Sequence, residues 1–216
     1  ANAIPAMQKP TAQMPGQRRS RALPYDLDIA GGVTPEKRFR LTMANRGSAG
    51  AVLTVHDNSD GHAPWHYTVG AEDRLESEHW HEGTRGLADY DLTLAGPDGL
   101  YQRYAGTIAA LAPEVSLIQL PDEEAVELLF ANRGGAPILL DVRFDAAYPS
   151  GAKPARRVQI APGASVRERW HLAKDDHWYD LSVRWAHDPK FLRRFAGRLS
   201  TGRPGLTDPA IGAMRL

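Results

Sequence analysis

Apolar and polar residues alternate along most of this chain, in short runs broken by turn residues. In Phe39-Arg40-Leu41-Thr42-Met43 the apolar side chains fall on one face. The same period of two runs through Tyr25–Ile29, Ala51–Asp57, Trp65–Val69, Tyr90–Leu94 and Leu100–Ile108, and more weakly through Leu75–His81. A second series covers Val115–Leu120, Val126–Phe130, Ile138–Phe144, Arg157–Ile160, Val166–His171, Tyr179–Val183 and Phe195–Leu199. Alternation of this kind, with turn signals every ~8–12 residues, predicts short antiparallel strands. Helical periodicity is nearly absent, and its nearest candidate, Pro189–Arg194, is one turn at most.

The two series repeat each other. Leu41-Thr42-Met43-Ala44-Asn45-Arg46-Gly47 comes back as Leu128-Leu129-Phe130-Ala131-Asn132-Arg133-Gly134, an offset of 128 − 41 = 87 residues. Asn and Gly tolerate positive φ, so Asn-Arg-Gly between two apolar runs predicts a tight hairpin turn. Trp80-His81 answers Trp170-His171, Tyr90-Asp91-Leu92 answers Tyr179-Asp180-Leu181, and Tyr104-Ala105-Gly106 answers Phe195-Ala196-Gly197. The predicted fold class is all-β: two tandem immunoglobulin-like β-sandwich modules preceded by an extended linker. The expected boundaries are a linker at 1–22, a first module at 23–110, a second at 111–200 and a tail at 201–216. Trp80 and Trp170 are expected to fill the core between sheets, and Tyr90 and Tyr179 to occupy tyrosine-corner positions.

Composition narrows the classes of function. The 216 residues are 42% hydrophobic and 24% charged with zero formal net charge, so nothing draws the chain to nucleic acid or anionic membranes. The absence of cysteine excludes disulfides and thiolate metal sites. No apolar run approaches the ~20 residues of a membrane span. Arg18-Arg19 is followed by polar residues, not by the apolar segment an export signal needs. A start at Ala1 without methionine reads as a processed product or as a piece of something longer.

Candidate chemistry is sparse. His56-Asp57-Asn58-Ser59-Asp60-Gly61-His62, with His66, His79 and His81, invites a metal site, but its spacing fits neither a calcium loop nor a zinc motif and reads as a solvated loop. There is no Gly-x-Ser-x-Gly and no phosphate-cradling Gly-rich loop with lysine. The carboxylates Asp122-Glu123-Glu124 and Asp175-Asp176 read as solvated loop charges. Lys190-Phe191-Leu192-Arg193-Arg194-Phe195 and Arg198 interleave cations with aromatics, a pattern that reads as packed apolar residues with solvated cations. Catalytic, cofactor-binding and metal-ligating residues are expected to be none, and cofactors none.

Asn-Arg-Gly after a strand, Trp-His, Tyr-Asp-Leu and Gly96-Pro97-Asp98-Gly99-Leu100-Tyr101-Gln102-Arg103-Tyr104-Ala105-Gly106 together resemble the C-terminal accessory domain of the bacterial phospholipase C family. The resemblance covers about Leu23 to Leu199. The second copy departs from it, with Trp185-Ala186-His187-Asp188-Pro189 in place of Gly-Pro-Asp-Gly. It implies the tandem C-terminal region of a secreted or periplasmic hydrolase of phosphatidylcholine and sphingomyelin. It also implies that nucleophile and metal ligands belong to an α/β catalytic domain in cis, outside this chain, with a phospholipid surface as a further partner. The alternative is a free-standing lipid- or carbohydrate-binding β-sandwich protein whose platform would be Trp65, Tyr67, Trp178 and Trp185. If Trp170 fills a core, Trp170→Ala should cost about 3–5 kcal/mol in chemical denaturation, and an unshifted midpoint would refute that placement.

Overall fold

The computed structural model describes residues 16–59, 63–81, 89–108, 112–152 and 154–212. Its first eight strands are β1 (Arg19–Ser20), β2 (Leu27–Val33), β3 (Arg38–Asn45), β4 (Ala51–Asp57), β5 (Trp65–Val69), β6 (Asp73–His81), β7 (Asp89–Ala95) and β8 (Tyr101–Thr107). There follow β9 (Glu114–Leu120), β10 (Ala125–Ala131), β11 (Ile138–Phe144), β12 (Arg156–Ile160), β13 (Ser165–His171), β14 (Trp178–Trp185), β15 (Asp188–Arg198) and β16 (Gly205–Leu206). The fold is all-β, as expected.

The strands pack in two layers. One layer holds two small sheets, ordered β2-β3-β6 and β13-β10-β9. The other is a single large sheet of eight strands, ordered β12-β11-β14-β15-β8-β7-β4-β5. Each half of the chain gives three strands to a small sheet and four to the large one, in corresponding order. The alternation in the sequence decides which side chains face inward. In β3, Phe39, Leu41 and Met43 are buried while Arg38 and Arg40 are exposed. Phe39 packs against Tyr90 and Tyr104 of the facing sheet, with ring centroids 4.6 and 5.4 Å apart. Trp170 is buried in the core of the second half, with the Arg156 guanidinium 4.6 Å from its ring centre. The side chain of Trp80, and those of His79 and His81, lie outside the described residues.

The two halves meet through backbone. β8 and β15 pair antiparallel from Tyr101↔Ala196 to Ala105↔Leu192, with Arg103 directly opposite Arg194. Each strand would otherwise be the edge of its half-sheet, with a row of unsatisfied N–H and C=O groups. Beneath the pairing, Tyr104 meets Phe195 edge-on at 6.0 Å, and the buried apolar residues of both halves form one continuous core.

Two expectations need correction. Asn45-Arg46-Gly47 is not a hairpin turn: β3 lies in a small sheet and β4 in the large one, so the stretch carries the chain between layers. Neither Asn45 nor Gly47 has positive φ. Asn45, 1% exposed, acts through its side chain. Its Nδ2 donates to the carbonyls of Ala49 (2.8 Å), Gly70 (3.1 Å) and Val69 (3.4 Å), and its Oδ1 accepts from the amide of Gly47 (3.0 Å). Asn132 repeats this with Ala136, Ile160, Ala161 and Gly134. The glycine at 47 answers a close approach, since a Cβ there would stand 2.1 Å from the Pro24 carbonyl oxygen. Second, Pro189–Arg194 is not a helical turn but part of β15, where its residues pair with β14 and β8. The described end of the leading segment and the start of the closing one are held to each other: β1 pairs with β16, and Thr207 N donates to Arg18 O at 2.8 Å.

Asn45→Ala would leave part-buried and buried backbone groups without this partner and should cost about 1–3 kcal/mol. Because the sheet and core run through both halves, the loss should appear in urea as one shifted transition for the whole chain. Two separated transitions would contradict that continuity.

Candidate functional site

The seam carries its main polar cluster on the face of the large sheet turned away from the small sheets. Arg103 and Arg194 stand opposite each other across the β8–β15 pairing. Each is forked onto its own carboxylate. Arg103 donates Nε and Nη2 to Asp91 at 2.8 and 2.6 Å, and Arg194 donates Nε and Nη2 to Asp180 at 2.8 and 2.5 Å. Bidentate pairs of this kind fix side-chain geometry more strongly than single bonds. Asn58 Nδ2 adds bonds to Asp91 (3.0 Å) and Thr93 (2.8 Å), and the Arg194 guanidinium lies 5.3 Å from the Tyr101 ring centre. Burial works to raise the Asp91 carboxyl, but the bonds from Arg103 and Asn58 outweigh it and hold the group below its ordinary range. The bond to Asp180 raises the Arg194 guanidinium further still. Forked pairs of this kind tie the strands of the seam together.

Tyr90 and Tyr179 lie on the buried side of these strands. A Cβ at Gly106 would stand 2.9 Å from the Tyr90 hydroxyl, which explains why glycine closes the Tyr-Ala-Gly motif that pairs with Tyr-Asp-Leu. The Tyr90 hydroxyl accepts from Arg193 Nη2 at 2.5 Å, which replaces the backbone bond of a tyrosine corner.

A second cluster fixes the segment that leads into the first sheet. Gln17 Nε2 donates to Asp176 and to the Thr207 carbonyl, both at 2.9 Å, and Arg18 N donates to the Thr207 hydroxyl at 2.9 Å. Trp178 Nε1 donates to Leu206 O at 3.0 Å, and Tyr148 donates to Asp208 at 3.1 Å. Burial, and next the Asp208 charge, push the Tyr148 hydroxyl above its ordinary range.

The residues singled out by sequence distribute as follows. His56 and His66 are exposed on the large sheet, with His66 Nδ1 3.1 Å from the Thr54 hydroxyl. Asp57 closes a turn by accepting from Ser59 N at 2.8 Å. Asp60, Gly61 and His62 lie outside the described residues, and among the described ones no group of three or more candidate ligands converges. Trp178 is buried, and Trp65, Tyr67 and Trp185 are half-buried against the core, so the four do not form an exposed aromatic platform. Asp122, Glu123 and Glu124 are exposed, as expected of loop charges, whereas Asp175 is buried. Glu123 pairs with Arg169, Glu124 with His177, and Asp175, 1% exposed, accepts from Ser150. The cations of the basic run are not simply solvated either. Lys190 pairs with Asp89 at 2.6 Å, Arg194 with Asp180, and Arg193 is buried. Arg198 is also buried, with Asp98 3.9 Å away, and burial raises the Asp98 carboxyl against the pull of that cation. Sequence reading missed Arg193 as an interior residue. The available signal was parity, since it alternates with Phe191 and Phe195 on the apolar face.

The polar clusters described above tie strands and segments of an all-β sandwich to one another. The chain belongs to the family of the bacterial phospholipase C C-terminal domain, whose model matches it twice, over residues 19–107 and 112–198. It is 38% identical over 213 residues to the non-hemolytic phospholipase C of Burkholderia pseudomallei, covering 96% of this chain and 30% of that protein. It is 37% identical over 225 residues to the non-hemolytic phospholipase C of Pseudomonas aeruginosa, covering 97% of this chain and 30% of that protein. The hemolytic phospholipase C of the same organism is 30% identical over 230 residues, again with 30% of its length covered. The chain thus spans less than a third of the curated relatives it matches.

Because the Asp91 carboxyl is held low, its stabilising effect is complete above the ordinary carboxylate pKa of about 4 and is lost as pH falls through the lower native value. The melting temperature should fall as pH drops below about 4. Asp91→Asn should lower it at neutral pH and flatten the acid limb, and an unchanged acid limb would refute the role of this pair.

Proposed function

We propose that this chain is a non-catalytic accessory region of a secreted bacterial phospholipase C. It supports phosphatidylcholine-type hydrolysis by a catalytic domain in cis. The observation that carries this reading is the double match to the C-terminal domain model, by a chain that covers 30% of its phospholipase C relatives. The site geometry supports it. The arginine–aspartate forks engage the charged groups at the seam with one another. No helix among the described residues is long and apolar enough to cross a membrane.

The clamp between β1 and β16 gives the region a mechanical role in this reading. The segment leading into the first small sheet is tied to Asp176 and Thr207 of the second half before it reaches β2. In this reading the clamp fixes the point, at Gln17 and Arg18, from which the chain leads back toward the catalytic domain.

The test is turnover. The purified 216-residue chain should release no phosphorylated headgroup from phosphatidylcholine vesicles, while the full-length enzyme should. Deleting the region from the full-length enzyme should lower its activity or secreted yield. Product release by the isolated chain at constant specific activity through purification would overturn the reading.

A further inference from the structure

Arg193 is a buried cation with no carboxylate bonded to it among the described residues. The residue is 2% exposed. Nη1 donates to the Ala105 and Leu192 carbonyls at 2.7 and 2.9 Å, and Nη2 donates to the Tyr90 hydroxyl at 2.5 Å. The rings of Phe191, Tyr90 and Tyr104 lie 4.5, 5.5 and 5.7 Å from its Cζ. A guanidinium carries five N–H donors, and these three bonds leave two unused. Carbonyls, a hydroxyl and π-faces offset part of the desolvation of a buried charge, but a counter-charge offsets it far better.

The architecture does not require a cation here. When Tyr104-Ala105-Gly106 is aligned with Phe195-Ala196-Gly197, Arg193 falls on Gln102. Gln102 is also buried, and it accepts from the Tyr104 hydroxyl in a neutral pair. The same position in the same fold is therefore filled without charge in the first half.

The two ends of the seam differ in the space above these residues. β2 and β9 are unpaired edges of the two small sheets and run beside each other in opposite directions. Near Gln102 they are held together by Gln119 Nε2, which donates to Leu27 O at 3.3 Å, and the gap is about 210 Å³. Near Arg193 they diverge and leave a cleft of about 840 Å³, within the size range of small-molecule sites. Ala30, Val33, Val115 and Leu129 give that cleft apolar sides, and Arg193 lines it. Of the other charged residues at its rim, Arg133 and Glu114 pair with each other at 3.3 Å.

We propose that this cleft binds an amphiphilic anion, with its phosphate or carboxylate head at the Arg193 guanidinium and its single alkyl chain between β2 and β9. An apolar trough with a buried cation to which no described carboxylate is bonded matches such a ligand in both parts. This goes beyond the accessory role and stands without it, since its test reads binding and not phospholipid turnover.

The experiment is calorimetric titration of the 216-residue chain with decyl phosphate and with decanoate, below their micelle concentrations. Decanol and inorganic phosphate are the comparison ligands. At least one of the two anions should bind saturably, one per chain, and at least about tenfold tighter than either comparison ligand, a difference of about 1.4 kcal/mol. The stronger of the two identifies the head group. Arg193→Gln, which copies the first half's chemistry, should remove the preference over decanol. Gly32→Leu should abolish binding, since a Cβ at Gly32 meets no atom within 4 Å and its side chain would occupy the cleft. If Arg193→Gln fails to fold, Gly32→Leu decides alone. The proposal fails if neither anion saturates, or if a folded Gly32→Leu chain binds as tightly as the original.

Discussion

The pairing of β8 with β15 is the constraint on which the rest of the structure depends. Two half-sheets that each ended in an open edge would expose unsatisfied backbone and invite association. Joined, they become one sheet over one core. The pairing has an electrostatic condition, because it sets Arg103 directly against Arg194. Like charges opposed across an antiparallel pair are destabilising unless each is neutralised locally. Asp91 and Asp180 meet that condition with forked bonds from either side.

That constraint explains much of what recurs in the chain. The aspartate of Tyr-Asp-Leu serves the arginine two residues before Ala-Gly. The tyrosine serves the glycine, lying over a backbone with no room for a Cβ at Gly106. The asparagine of Asn-Arg-Gly binds carbonyls where the chain changes layers. Tyr-Asp-Leu, Ala-Gly and Asn-Arg-Gly, which recur in the sequence, are joints in the fold. This accords with an accessory region whose relatives are phospholipases C more than three times as long as the stretch they share with it.

The halves are not equivalent where the joint meets the interior. Gln102 and Arg193 occupy matching places with different charge, beneath gaps of different width. Duplication supplies two copies of a position, and the structure needs only that each be filled and hydrogen-bonded. The second copy is then open to a chemistry the first does not carry.

Much of the fold was legible in the residues. Period-two alternation marked nearly every strand, because a strand with one face in a core must place apolar residues at every second position. The recurrence of Asn-Arg-Gly, Tyr-Asp-Leu and Ala-Gly set the register between the halves. Other features were not legible, and for a common reason. Asn-Arg-Gly was read as a hairpin because local turn chemistry is the same whether the next strand returns to its own sheet or crosses to another. Pro189–Arg194 takes its strand identity from pairing with β14 and β8, which its own six residues do not contain. Arg193, Arg198 and Asp175 were read as solvated because charge predicts exposure until a specific partner or cleft is brought to it. The sequence by itself determined the strands, their inward faces and the family. Only the tertiary structure decided that the two halves share one sheet, and that one buried cation faces a cleft. Those outcomes depend on contacts between residues far apart in the chain, and no local pattern encodes them.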